Sequence, residues 1–115
     1  MSSRKQAVQA LLRLERPLED ILRELRTYAW DSDEALVELT APDVADILAR
    51  FVAGKVSADE VEAWANEVEG RDDVGLRPVE ESVLKEVVFA LANPALTEPL
   101  TAVAAQRMLE RLRGR

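Results

Sequence analysis

The chain has 115 residues, 48% apolar and 32% charged, with a net charge of −7; that balance supports one packed domain and is far from the composition of a disordered chain. Cysteine and histidine are both absent. Their absence removes disulfides, thiolate nucleophiles, the usual general base near neutral pH and the commonest transition-metal ligands. A non-enzymatic protein is expected, with no catalytic residue, cofactor or metal.

The charge is unevenly distributed. Residues 1–30 carry a net +2 and residues 101–115 a net +3, whereas residues 31–100 hold seventeen acids against five bases. A phosphate backbone would be repelled over most of such a surface, so nucleic acid is not expected as a ligand. Arg13, Glu15 and Arg16 interrupt the first apolar stretch, and no run approaches the roughly 20 apolar residues of a membrane span. A cytoplasmic location without membrane attachment is the expectation.

In chain order, Ala7, Leu11, Leu14, Leu18, Ile21, Leu25 and Tyr28 form a seam at alternating steps of four and three, the signature of an amphipathic helical arm over residues 1–30. Pro17 kinks or breaks it, giving helices at about 3–15 and 17–28. Residues 30–34 read as a turn and 35–39 as a short extended piece with no evident partner strand. The core helices occupy 40–113. Thr40 with Asp43 resembles a capping box, Val44, Ile47, Leu48, Phe51 and Val52 follow at helical spacing, and Gly54 stops the helix. Ser57 with Glu60 opens the next helix, with Val61, Trp64, Ala65 and Val68 as its buried stripe and Gly70 at its end. Residues 71–78 read as a polar connection. A helix over about 79–92, apolar on every side in its second half, is expected to be the most buried. Asn93-Pro94 ends it, and Thr101 caps a last helix with Ala105, Met108, Leu109 and Leu112 inward.

The helix at 58–69 carries five acids, Asp59, Glu60, Glu62, Glu67 and Glu69, and no base. Elsewhere acids have bases four residues on, as Glu19 has Arg23, Asp46 has Arg50 and Glu81 has Lys85. Here Asp59, Glu62, Asn66 and Glu69 share a face opposite Val61, Trp64 and Val68, and the next loop adds Asp72 and Asp73. A solvated face accounts for Asp59 and Glu60, which suit the positive end of the helix dipole, but not for Glu67 and Glu69 at the negative end. The alternative is a docking face for a basic partner protein.

Other features point less far. Asp31, Asp33 and Glu34, or Asp72 with Asp73, lack the ligand order of a calcium loop and read as turn chemistry. Trp64 belongs to the core, while Trp30 suits either packing over the first helix or anchoring a partner. The seam over 7–28 could pair two copies into a homodimer, although Pro17 argues against a regular coiled coil. A carboxylate-based hydrolase would need two acids facing across a cleft, which one convex helix face does not supply.

Two resemblances add to this. Trp30-Asp31-Ser32-Asp33, Trp64-Ala65-Asn66, Glu69-Gly70-Arg71-Asp72-Asp73-Val74-Gly75 and Leu91-Ala92-Asn93-Pro94 resemble a family of small bacterial all-helical proteins of unassigned function. Residues 43–60, with Ile47-Leu48-Ala49-Arg50-Phe51-Val52-Ala53-Gly54-Lys55-Val56-Ser57-Ala58-Asp59-Glu60, are similar to the opening helices of colicin-like self-protective immunity proteins. That second likeness implies a protein that blocks a basic toxin domain through an acidic surface. The combined reading is one all-α domain spanning 1–115, a bundle of five or six helices around Phe51, Trp64, Val87, Val88 and Leu91. It would bind a basic protein through Asp59, Glu62, Asn66, Glu69, Asp72 and Asp73; a structural homodimer or scaffold is the alternative.

Overall fold

The computed structural model describes residues 4–28, 37–71 and 73–114. Six helices and one small sheet follow in the order α1 (Arg4–Arg13), α2 (Leu18–Leu25), β1 (Val37–Leu39), α3 (Ala41–Val52), α4 (Ala58–Glu69), β2 (Val74–Leu76), a 3-10 turn (Pro78–Glu80), α5 (Glu81–Ala92) and α6 (Ala102–Gly114). The all-α bundle expected from periodicity is what forms. Helix α3 lies mainly against α6 and α4 against α5, while α1 spans both pairs, touching α2, α3, α4 and β1.

Local signals set most boundaries. Both capping boxes are present: Thr40 and Asp43 close one at the start of α3, and Ser57 and Glu60 close the other at the start of α4. Thr101 Oγ1 accepts from the Ala104 amide at 3.1 Å, capping α6. Gly54, at φ +79°, ends α3 in the left-handed conformation that glycine adopts without a Cβ penalty. Leu14 does the same at the end of α1, at φ 47°, with the Glu15 amide donating back to the Ala10 carbonyl. A non-glycine residue is held there because its side chain is buried. The arm therefore breaks before Pro17 as well as at it.

The seam residues Ala7, Leu11, Leu14, Ile21 and Leu25 are buried in the chain's own core, and Leu18 and Tyr28 are partly covered by it. The seam expected as a possible dimer face over residues 7–28 is thus packed against the chain's own helices, with Leu18 and Tyr28 its partly exposed members. Trp64 is fully buried at the centre, with Val87, Val88 and Leu91, while Phe51 is only half-buried at the margin. The second half of α5 is also less enclosed than its composition suggested, because Phe89 is 45% exposed.

The extended piece before α3 does have a partner. Strand β1 pairs in parallel with β2, Val37 opposite Val74 and Leu39 opposite Leu76, so the connection after α4 is a strand and not only a polar loop. The crossover is the α3–α4 hairpin, and three-residue strands with one central glycine leave no alternation for a sequence reading to detect. Trp30 and the acids Asp31, Asp33, Glu34 and Asp72 lie outside the described residues.

The carbonyl end of α1 is closed by side chains from the two central helices. Trp64 Nε1 donates to the Leu11 carbonyl at 2.7 Å in a fully buried setting, and Arg50 donates to the carbonyls of Arg13 and Leu14 while pairing with Asp46 at 2.6 Å. Removing the indole takes one of two donors from the buried Leu11 carbonyl, which keeps the Leu14 amide at 3.1 Å, and leaves a void beside it. Trp64→Phe is expected to lower unfolding free energy by roughly 2–4 kcal/mol; a urea midpoint within error of the parent would show that the indole does not hold α1.

Candidate functional site

Helix α4 presents two chemically distinct faces because its apolar residues recur at three and four. Val61, Trp64, Ala65 and Val68 are buried, while Asp59, Asn66 and Glu69 are exposed and Glu62 is half-buried. Four of the six residues expected to form an acidic recognition surface therefore share one outward strip. Asn66 Nδ2 donates back to the Glu62 carbonyl at 3.0 Å, leaving its amide oxygen as the polar group available for contact. Glu60 stands apart, since its carboxylate accepts from the Ser57 amide at 2.9 Å in the capping box.

Asp73 departs from the expectation. Its side chain is 1% exposed, and Arg71 approaches both carboxylate oxygens, Nε to Oδ1 at 2.8 Å and Nη2 to Oδ2 at 3.0 Å. Arg4, from the first turn of α1, adds Nε and Nη2 to Oδ2 at 3.2 and 3.0 Å. Burial pushes the Asp73 carboxyl upward, but the hydrogen bonds and charges of the two guanidinium groups outweigh it and hold the group below the ordinary carboxylate range. Asp73 is thus a buried bridge and not part of a docking face. Asp72 lies outside the described residues.

Among the described residues, none of Asp59, Glu62 and Glu69 forms an ion pair. Two bases of α6 are directed elsewhere: Arg111 meets Glu86 at 2.7 Å and Arg107 meets Glu98 at 2.6 Å. The helical pairs Asp46–Arg50 and Glu81–Lys85 form as the spacing implies, at 2.6 and 3.1 Å, whereas Arg23 turns to Asp20 at 3.3 Å rather than to Glu19.

Where α4 ends, the strip meets a groove of about 580 Å³. Its floor is apolar, built from Leu39, Val68, Leu76, Leu84 and Val88, and the exposed Phe89 stands at its edge. Four charged residues border it, and three have internal partners: Arg71 with Asp73, Lys85 with Glu81 and Glu86 with Arg111. Glu69 is the fourth, at the last position of α4, where the helix carbonyls add their own negative potential. Sequence reasoning missed this groove. The detectable signal was the apolar second half of α5, read as full burial, whose Phe89 lies off the buried stripe of Leu84, Val87, Val88 and Leu91.

The site is therefore a convex anionic strip running into a concave apolar groove on a small helical domain. No family model matches the chain, and no curated protein or solved structure matches it either.

Two outcomes follow from the geometry. Asp73 has a lowered folded-state pKa, so its stabilising contribution is fully present above the unfolded-state value of about 3.9 and is lost as pH falls through the lower folded value. Asp73→Asn should lower stability at neutral pH and flatten the loss of stability below about pH 4; urea midpoints across that range check it, and an unaltered acid limb would contradict the bridge. Glu69→Lys should leave the fold intact and raise stability by roughly 0.3–1 kcal/mol, because a cation suits the helix end where Glu69 now stands. A loss of stability in the same titration would mean that Glu69 serves the fold.

Proposed function

We propose that this protein is a non-enzymatic binding domain that engages a basic protein through the outward strip of α4, Asp59, Glu62, Asn66 and Glu69. The observation that carries the reading is the lack of internal compensation along α4: five acids, no base on the helix, and no ion pair to the strip among the described residues, whereas Asp20, Asp46 and Glu81 each meet a base within their own helix. Negative potential held at the surface speeds encounter with a cationic patch and sets the register of docking. The mode of action is occlusion, in which the strip covers a positively charged site on the partner. An inhibitor resembling the colicin-like immunity proteins, blocking a basic toxin domain, is the specific form of this reading.

The structural homodimer is the weaker alternative, because burial of the seam over residues 7–28 takes away the face that suggested it. The test is affinity capture from the source cell with the parent chain and a variant carrying Asp59→Lys, Glu62→Lys, Asn66→Lys and Glu69→Lys, each washed at low and high salt. Capture by the parent that weakens with salt and is lost in the variant is the expected result. Capture of the same partner by both proteins overturns the proposal.

A further inference from the structure

We infer that the groove between α4, β2 and α5 is the anchor pocket of the binding surface, and that its occupant is a partner segment presenting a bulky apolar side chain flanked by Lys or Arg. This rests on the protein-binding reading of the α4 strip and adds the part that charge alone does not provide, since affinity is concentrated in buried apolar anchors surrounded by polar rims.

Shape and charge select this occupant together. A volume of about 580 Å³ is ample for one or two large side chains, and the buried Val68, Leu84 and Val88 of its floor are backed by the core, so the pocket exists before anything enters it. Phe89 lines the groove and keeps 45% of its surface exposed, an apolar face that a guest can cover. Of the charged residues lining the groove, Arg71, Lys85 and Glu86 pair with Asp73, Glu81 and Arg111, which leaves Glu69 and the carbonyl end of α4 with no paired cation among the described residues. Both favour a cation, and an acidic segment would meet them with repulsion. A guest entering with its apolar side chain down would place a neighbouring Lys or Arg against Glu69, and further bases along its length against Glu62 and Asp59.

The probe is a synthetic amphipathic helix of Leu and Lys, titrated into the full chain at moderate salt and followed by fluorescence anisotropy of a dye on the peptide. Two control peptides accompany it, one with Leu replaced by Ser and one with Lys replaced by Glu. Two protein variants also accompany it: Phe89→Ser, which removes a half-exposed ring without opening the core, and a strip variant carrying Asp59→Lys and Glu62→Lys. Circular dichroism melts establish that each variant is folded.

The expected result is saturable binding of the Leu/Lys peptide, weakened at least about tenfold by Phe89→Ser, by the Ser control and by the Glu control. If Phe89→Ser and the Ser control bind as tightly as the originals while the strip variant does not, the groove is not the anchor and the electrostatic reading stands. If the strip variant and the Glu control bind unchanged while Phe89→Ser loses binding, the charge selectivity inferred for the occupant fails, and the reading of α4 fails with it. Saturable uptake of the peptide that is insensitive to every substitution overturns both.

Discussion

The buried carboxylate of Asp73 is the constraint from which the arrangement of this domain follows. It is almost wholly enclosed, yet it is approached by guanidinium groups from Arg4 at the start of α1 and Arg71 just after α4. A charge in that position is tolerated only when its oxygens are paired and hydrogen-bonded. The Asp73 carbonyl meanwhile accepts from the Val37 amide, beginning the ladder between the strands. One residue thus joins the first helix, the exit of α4 and the small sheet. Trp64 ties the other end of α1 to the middle of α4, so α1 is held at one end by the helix that carries the candidate site and at the other by the segment that follows it.

This has an electrostatic consequence. Arg71 follows α4 closely enough to serve as the cation that helix termini favour, but it is turned inward to Asp73. Arg4 donates to Oδ2 of the same carboxylate. The buried bridge engages both bases, while Glu69 stands at the negative end of the helix dipole with no ion pair among the described residues. The apolar groove lies at the same end of α4, floored by residues of α4, α5 and both strands, so a surface suited to steering a cationic partner continues into one suited to retaining it.

Much of the architecture was legible in the sequence. The two capping boxes, the glycine stop at Gly54, the buried stripe of α4 and the Thr101 cap are short-range signals whose chemistry is complete within four or five residues, and all appear where the spacing places them. The errors share a different cause. The pairing of β1 with β2, the burial of Asp73 and the left-handed Leu14 each depend on residues far apart in the chain or on packing, and no local pattern records them. The outward strip was readable as one helix face at Asp59, Glu62, Asn66 and Glu69. The loop acid Asp73 was not, because its two arginine partners come one from the adjacent turn and one from 69 residues away. The groove was hidden for a related reason: the Val87 to Ala92 stretch has the composition of a buried segment, and only the neighbouring helices decide which of its sides stays open.

On the proposed function, the carboxylates of α4 meet lysines on another protein. Zero-length carbodiimide cross-linking in extract of the source cell, mapped by peptide mass spectrometry, addresses it directly, because the reagent joins only carboxylates and amines already in contact. Cross-links from Asp59, Glu62 or Glu69 to lysines of one partner are the expected result. Cross-links confined to acids on other elements, such as Glu19, Asp20 or Glu110, with the α4 strip unmodified by any partner, would contradict it.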